Sequence, residues 1–447
     1  MRKGWRKVVS SLLPLIAVSG CAGWFGSEEE RLPSVLLFSV DSMRPDHLGC
    51  YGYDRATTPN IDAFAREGVR FNEAISASAW TTPSMISILT GMSPAGHRVE
   101  ARGQSLNPAL PALPRLLAQL GYEVPNLFYP NRIPNYENLG YGAPDPSIES
   151  MDKREALLAW LRAHQHERYF LWFHDAKLHL PYNPSDEYWS RFVPMSREEA
   201  ANFSPGVHAV MNNVIIPEGT VPWRPRDREQ VINLYDAELA ETDAFFGEVI
   251  DVLREGESLD DTIVILTSDH GEELLDHGHV GHASTSKSAT LYEEIVRVPL
   301  IFRYPAMAKQ RRVEYAQVRS IDIAPTIFSL LGKRAPKEMQ GFPLKAALEG
   351  KTFSSRPAYS ETILAGYQSD AAAARVRLRS IRSDDWKLIC RVEQHTSCRL
   401  YNLKADPEER RNMANIARAR AQLLFEDLQY WAGGTDAMSS EGSPEVH

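Results

Sequence analysis

Two acidic residues follow continuous apolar runs, a position at which a carboxylate can carry chemistry. Asp41 comes directly after the run Ser34 to Val40, and Asp269 comes just after the run Thr262 to Thr267. Neither run has helical spacing, and both are typical of strands buried on two faces of a parallel sheet. Open α/β sheets place their sites just beyond strand ends. Both carboxylates are therefore predicted to lie at such a site.

A hydroxyl group is the third candidate. Thr81 and Thr82 precede Pro83, which is the pattern of a helix N-terminus. A threonine there can cap the helix, and it can also be a nucleophile, since the backbone dipoles at a helix N-terminus favour negative charge. An alcohol is a poor nucleophile at neutral pH unless a metal ion lowers its pKa. Catalysis by Thr81 thus calls for a metal ion.

The elements around these residues alternate between strand and helix, which predicts an α/β layered domain. The helical patterns are Pro59 to Gly68, Pro83 to Leu89, Leu113 to Leu120, Lys153 to His164 and Asp227 to Arg254. After about Lys333 shorter alternations follow, at Arg375 to Arg382 and at Trp386 to Arg391, before a last helical pattern from Asn412 to Trp431. That change predicts a small C-terminal α+β subdomain.

Composition excludes two classes of protein. A chain of 447 residues that is 43% hydrophobic can bury a large core, and its net charge of -9 lacks the clustered positive charge of nucleic-acid binders. The four cysteines make neither a disulfide scaffold nor a zinc-finger cluster. Any metal ion must therefore be held by other residues.

The N-terminus has the pattern of a secretory signal. A basic start is followed by an apolar run from Val8 to Val18 that is too short to span a bilayer. Val18 to Cys21 resembles the bacterial lipobox, which predicts a signal peptide at 1–20, a lipid anchor at Cys21 and a tether at 21–32. Ala22 favours the outer membrane over the periplasmic face of the inner membrane. The alternative is a plain signal peptide with a chance cysteine.

An oxidising cell envelope would permit disulfides. Cys390 and Cys398 flank an expected hairpin, and a disulfide between them is as consistent with the sequence as two free thiols.

Several motifs, in order along the chain, resemble the sulfatase family of the alkaline phosphatase superfamily. They are DSMRPDHLGCYG (41–52), TTPNID (57–62), WTTPS (80–84), ILTG (88–91), SDHGE (268–272), DHG (276–278), LYEE (291–294), RVPL (297–300), DIAPT (322–326), LYNL (400–403) and DPEER (406–410). The resemblance implies an alkaline phosphatase-like domain at 33–333, with a large mixed, mostly parallel sheet between helices. The C-terminal subdomain is then 334–433, and a mobile tail is expected at 434–447.

The nucleophile motif departs from that of sulfatases proper. They carry a Cys, matured to formylglycine, where this chain has Thr81, and an Arg where it has Met85. A threonine ester must be cleaved by a second attack on the central atom, which phosphoryl centres tolerate well. Family members with Thr here act on phospho groups, so hydrolysis of phosphate mono- or diesters through a covalent Thr81 intermediate is expected. The alternatives are a sulfuric ester hydrolase without formylglycine, a phospho-group transferase and a non-catalytic surface lipoprotein.

The resemblance also implies a metal site. Its ligands would be Asp41, Thr81, Asp269 and His270, the last standing where many sulfatases have Asn. Ser42 replaces a second Asp of many sulfatases, and losing oxygen ligands favours Zn²⁺ or Mn²⁺ over Ca²⁺ or Mg²⁺.

A second set of residues is implied with less definition. Asp175, His179 and His282 could bind a second metal ion, or His179 and His282 could act without metal as proton donors to the leaving group. Lys287 is either an anion-binding residue or a solvated loop residue.

The remaining expectations concern the substrate. Asn131 and Arg132 stand near the place of a sulfatase Lys-x-His pair, where Arg132 could contact a phosphate. The substrate is expected to be a small-molecule, lipid or glycan ester, whose alcohol part and the oligomeric state the sequence leaves open.

Overall fold

The strand ends that were expected to carry chemistry belong to one large sheet. The computed structural model describes Met1 and residues 32–101, 103–127, 136–143, 151–306, 312–363, 377–392 and 397–440. The signal peptide, Cys21, most of the tether, Asn131 and Arg132 lie outside these residues. From Pro33 onward the chain forms one compact unit.

The strands, numbered along the chain, are β1 Ser34–Val40, β2 Val69–Ile75, β3 Phe170–Asp175, β4 Thr262–Ser268, β5 Glu273–Leu274, β6 Val280–Gly281, β7 Arg297–Arg303, β8 Arg312–Glu314, β9 Val318–Arg319, β10 Ala358–Ile363, β11 Arg377–Ser383, β12 Trp386–Val392 and β13 Ser397–Asn402. The α-helices are α1 Pro59–Arg66, α2 Thr81–Thr90, α3 Pro94–His97, α4 Leu113–Gln119, α5 Lys153–Ala163, α6 Asp186–Phe192, α7 Arg197–Phe203, α8 Pro205–Asn212, α9 Asp227–Glu255, α10 Ala283–Ser286, α11 Glu293–Val296, α12 Ile323–Leu330, α13 Lys345–Leu348 and α14 Arg418–Ser440.

The main sheet has the order β3-β1-β4-β7-β2-β8, with β9 also paired to β2. β1 lies between β3 and β4 and is parallel to both. Val40 is opposite Asp175 on one side and opposite Ser268 on the other, so the three strands end at the same edge. β7 pairs antiparallel with β4 and with β2, which makes the sheet mixed. The prediction of an α/β fold with a mixed, mostly parallel sheet is confirmed.

The core explains why β1 and β4 consist mainly of apolar residues. Every residue of both strands is buried. Phe38 of β1 lies 5.1 Å from Phe246 of α9 and 5.5 Å from Phe173 of β3, measured between ring centroids. Burying each such ring contributes about 1.5–3 kcal/mol. α9 also packs on α1, α5 and α6, so this long helix holds the layer over the sheet.

The C-terminal subdomain is a four-stranded antiparallel sheet, β10-β11-β12-β13, with α14 packed on it. Cys390 and Cys398 are opposite each other on β12 and β13 and form a disulfide, so the disulfide alternative is confirmed. α14 begins later than expected because the side chain of Asn412 accepts hydrogen bonds from the backbone N–H of Leu400 and Ala414, which holds the chain in a turn.

The same helix continues to Ser440, where a mobile tail had been expected from 434. The small and acidic residues of this segment favoured a mobile tail, whereas the structure continues the helix through residues 434–440. Residues 441–447 lie outside the described part. Among the helices of the described residues, none has the length and apolar character needed to cross a bilayer.

Candidate metal centre

The common edge of β1, β3 and β4 brings the predicted acidic residues together. Asp41 and Asp269 directly follow β1 and β4, and both are fully buried. The backbone N–H of Asp41 donates to the carbonyl of Asp175, 2.8 Å away, which ties the first turn after β1 to β3. Asp269 Oδ1 accepts the N–H of His270 at 2.9 Å. These backbone contacts fix both carboxylates at the edge of the sheet.

Thr81 is presented by the start of α2. The N-cap position is Trp80, so Thr81 is the first residue inside the helix rather than its cap. Ser84 Oγ–H donates to the carbonyl of Ser78 at 3.1 Å, and this bond anchors the first turn of the helix. Thr81 is 8% exposed, and its Oγ1 lies 3.3 Å from His270 Nε2. The hydroxyl therefore reaches the carboxylate edge.

His270 joins the threonine to the carboxylates. Its Nδ1 lies 2.8 Å from the carbonyl of Gly271, which accepts only a donated N–H. The lone pair is consequently on Nε2, which lies 3.2 Å from Asp269 Oδ2 and 3.8 Å from Asp41 Oδ1. Burial opposes protonation of this ring, but the charges of Asp269 and Asp41 outweigh it and raise the pKa of His270 to about 9. The two carboxylates thus call for a cation at Nε2, either a proton or a metal ion.

His282 approaches the same residues from the chain that follows the hairpin β5–β6. Its ring centroid is 4.3 Å from that of His270, and its Nδ1 lies 2.9 Å from Glu272 Oε1. Asp41, His270 and His282 each offer a ligand atom within 4.8 Å of the other two. His179 is half-buried, with its ring centroid 5.2 Å from that of His282. The structure therefore brings both predicted catalytic histidines near the centre.

Asp175 does not face this centre, and the prediction that it is a metal ligand is corrected. Its Oδ2 lies 2.6 Å from Arg154 Nη2, and its Oδ1 accepts the N–H of Lys177 at 3.2 Å. Because successive residues of a strand point to opposite faces, the preceding residue of β3 takes the position that the prediction gave to Asp175. That residue is His174, whose Nε2 lies 3.5 Å from Asp41 Oδ2. Sequence reasoning missed His174, although strand alternation was a signal that could have found it.

Lys287 lies outside the cluster of potential ligands. It is exposed at the end of α10, with a φ of 55°. Its role as an anion-binding residue stays a prediction, and so do the roles of Asn131 and Arg132.

The donor set fits a divalent metal ion. Metal bonds of about 2.0–2.2 Å in a tetrahedral site place neighbouring ligand atoms about 3.3–3.6 Å apart. The separations of Asp269 Oδ2, Asp41 Oδ1 and Thr81 Oγ1 from His270 Nε2 are 3.2, 3.8 and 3.3 Å. Within the described part of the chain, Asp269 Oδ2 is buried and accepts no hydrogen bond. Carboxylate and imidazole ligands of this kind suit zinc and manganese.

Comparison with known proteins identifies the family. Residues 33–333 match the family model Sulfatase, which covers most of the chain. The chain belongs to the sulfatase family. Residues 284–429 also match the model N-sulphoglucosamine sulphohydrolase, C-terminal. Enzymes of this family are hydrolases that generally bind a divalent metal ion, in agreement with the donor set described above.

The similarity of this sulfatase family member to its relatives covers nearly its whole length. An N-acetylglucosamine-6-O-sulfatase of Bacteroides thetaiotaomicron is 26% identical, over 94% of this chain and 90% of the relative. A Delta 4,5-hexuronate-2-O-sulfatase of the same organism is 22% identical, over 89% of this chain and 87% of the relative. The structure of a phosphonate monoester hydrolase of Agrobacterium radiobacter has a TM-score of 0.71 at 22% identity, over 90% of this chain and 96% of that one. The last comparison shows the shared fold.

Proposed function

We propose that this protein is a metal-dependent hydrolase of sulfuric esters that uses Thr81 as its nucleophile. The observation that carries the proposal is the position of Thr81 Oγ1, 3.3 Å from His270 Nε2 at the edge that also holds Asp41 and Asp269. Asp41, Asp269 and His270 would hold the ion. A bound divalent ion would lower the pKa of the hydroxyl and neutralise charge on the ester oxygens.

The reaction follows from the chain's own residues. Thr81 Oγ gives its proton to solvent water and forms a bond to sulfur, while the bond between sulfur and the alcohol oxygen of the substrate breaks. The leaving oxygen takes a proton, for which His179 and His282 are the donors near the centre. Glu272 Oε1, 2.9 Å from His282 Nδ1, orients that ring. Water then attacks the sulfur of the threonine sulfate, which restores the hydroxyl and releases hydrogen sulfate.

The choice of sulfate over phosphate rests on the relatives. The two bacterial relatives are named for sulfate esters on sugars, so a sugar sulfate is the substrate class that they support for this chain. They favour the sulfuric ester alternative over the phosphate preference expected from the sequence. The second candidate, hydrolysis of phosphate mono- or diesters, keeps one specific observation in its favour. Thr81 cannot form the aldehyde by which formylglycine expels sulfate, whereas phosphoryl centres tolerate a second attack.

A panel of esters tests the proposal on the full chain. The substrates are nitrophenyl sulfate, N-acetylglucosamine 6-sulfate, nitrophenyl phosphate and bis-nitrophenyl phosphate, each with chelator and with added Zn²⁺ or Mn²⁺. We expect turnover of sulfate esters that requires metal and falls roughly 10³-fold or more in Thr81→Ala. Thr82→Ala is the matched control, because Thr82 is the next residue of the same buried helix turn.

Each of the other outcomes of the panel would assign the protein a different function. Phosphate turnover that exceeds sulfate turnover would replace sulfate by the second candidate. Release of the alcohol without free sulfate or phosphate, but only with an acceptor alcohol present, would identify a transferase. Metal binding without turnover of any ester would favour the non-catalytic binding lipoprotein.

We propose further that the protein is anchored in the bacterial cell envelope through a lipid on Cys21. The support is the basic, apolar and small-residue order of residues 1–21. Cys21→Ser expressed in a bacterium should lose incorporation of labelled palmitate and leave the membrane fraction. Labelling that persists in Cys21→Ser would refute the anchor at this residue.

A further inference from the structure

We infer that His174 is a direct ligand of the metal ion through its Nε2, in addition to the residues that the sequence motifs indicate. The inference rests on the proposed metal dependence and is independent of which ester the protein cleaves. It gives the site a second imidazole nitrogen beside the two carboxylates.

The position of His174 comes from β3. The strand ends beside β1, and its alternation turns the imidazole of His174 towards the strand-end cluster. The side chain is 4% exposed, and its Nε2 lies 3.5 Å from Asp41 Oδ2 and 4.0 Å from Asp269 Oδ2. His270 Nε2 approaches the other oxygen of Asp41, Oδ1. The two imidazoles therefore reach the Asp41 carboxylate at different oxygens.

The distances from His174 Nε2 distinguish a cation shared with the carboxylates from a direct hydrogen bond to them. An N–H···O bond to a carboxylate is about 2.7–3.2 Å long, and both separations from His174 Nε2 exceed that range. The 3.5 Å separation from Asp41 Oδ2 falls within the ligand separations of about 3.3–3.6 Å in a tetrahedral site, and the 4.0 Å separation from Asp269 Oδ2 is longer than that range. Within the described residues, His174 Nε2 and Asp269 Oδ2 are both buried and have no hydrogen-bond partner. A cation between them satisfies both atoms.

The hydrogen bonds on the other side of the ring agree with this role. Ser39 Oγ accepts the indole N–H of Trp172 at 2.9 Å and can donate its own proton to the carbonyl of Phe173 at 3.3 Å. Its remaining lone pair faces His174 Nδ1, 2.9 Å away. With the serine proton on the carbonyl, Nδ1 must be the protonated nitrogen, because a hydroxyl has one proton and two lone pairs. Nε2 then presents its lone pair to the carboxylates, as a ligating histidine does.

Metal titration and spectroscopy of the full chain test the inference. Zn²⁺ affinity is measured by competition with a chromophoric chelator for the unsubstituted protein, His174→Gln and His174→Ala. The matched control is His208→Gln, which changes an exposed histidine of α8. We expect the dissociation constant for Zn²⁺ to rise about 100-fold or more in both His174 variants and to stay within about 3-fold in the control.

A second readout distinguishes a ligand from a residue that only supports one. In the Co²⁺ form, each ligating imidazole with a protonated Nδ1 gives a paramagnetically shifted, exchangeable proton signal. We expect such signals from His174 and His270 in the unsubstituted protein and the loss of one signal in His174→Gln. A single imidazole signal in the unsubstituted protein would overturn the inference without reference to any variant.

The remaining outcomes are also decisive. A Zn²⁺ dissociation constant unchanged in folded His174→Gln would overturn the inference. Absence of metal binding by the unsubstituted protein would overturn both the inference and the proposed metal dependence. Binding of Zn²⁺ together with two imidazole signals in the Co²⁺ form, one of which is lost in His174→Gln, but without ester turnover would leave the ligand assignment standing and refute the proposed function.

Discussion

Replacement of Lys387 by methionine should strongly destabilise the protein, because this lysine is fully buried among carboxylates. Lys387 Nζ on β12 lies 3.1 Å from Glu293 Oε1 and 3.2 Å from Glu409 Oε1. At an effective dielectric constant of about 20, each contact is an attraction of about 5 kcal/mol. The cost of burying the charges offsets much of this attraction in the native protein. Methionine keeps the length of the side chain but removes the charge, so the buried Glu409 loses the lysine as its ion-pair partner, whereas Glu293 still pairs with Arg382.

We expect a loss of about 3–5 kcal/mol in the free energy of unfolding, the usual result of removing one partner of a buried ion pair. Urea unfolding measures it, with Lys404→Met, an exposed lysine of the same subdomain, as control. Glu409→Gln added to Lys387→Met should restore part of the loss, since burial already raises the pKa of Glu409 to about 8 against the pull of the lysine. A Lys387→Met protein within about 1 kcal/mol of the unsubstituted one would refute this account of the network.

Three further predictions concern stability. Replacing Cys390 and Cys398 by serine should cost about 2–3 kcal/mol of unfolding free energy, because the disulfide closes a short loop between residues eight apart; a midpoint in urea unchanged by the double replacement would contradict this. Burial raises the pKa of Glu361 from 4.5 to about 7, so its contribution to stability is present below pH 4.5 and is lost as the pH rises through about 7; Glu361→Gln should flatten that part of a pH series of urea unfolding curves, and an unchanged slope would count against it. Removing the metal ion by chelation should lower the unfolding free energy by about 2.7 kcal/mol relative to protein in free metal at 100 times its dissociation constant. Asp41→Asn should abolish that difference in a thermal melt.

The layered fold could be predicted because its signals are redundant along the chain. β1 carries an unbroken apolar run from Val35 to Phe38 and β4 one from Ile263 to Leu266, which indicates strands buried on two faces, and every residue of both strands is buried. The expected helix Lys153 to His164 has a clear polar start, and the structure places α5 there, with Asp152 accepting the N–H groups of Arg154 and Glu155. In such elements, the periodicity of hydrophobic residues and the capping residues predict the same secondary structure.

The centre is harder to predict, since single-residue choices decide it. At the end of β3, a shift of one position exchanges a carboxylate that pairs with Arg154 for an imidazole that faces Asp41. The hydrophobic pattern cannot settle that choice, because His174 and Asp175 are both polar and both buried. The choice between His174 and Asp175 is decided by strand register, which pairs Ser39 with His174 and Val40 with Asp175. The sequence of one strand alone does not determine its register with a strand far away in the chain.

The place of His282 depends on a similar long-range fact. The short hairpin of β5 and β6 pairs Glu273 with Gly281, and this pairing returns the chain so that His282 lies beside Glu272. His282 is the twelfth residue after His270 in sequence, a spacing compatible with many loop paths. The hairpin makes their rings neighbours, 4.3 Å apart. Because one imidazole is hydrogen-bonded to Gly271 and the other to Glu272, each ring is held by its own support. Replacing Glu272 should therefore disturb the proton transfer that we propose for His282, while it leaves the hydrogen bond that supports His270 in place.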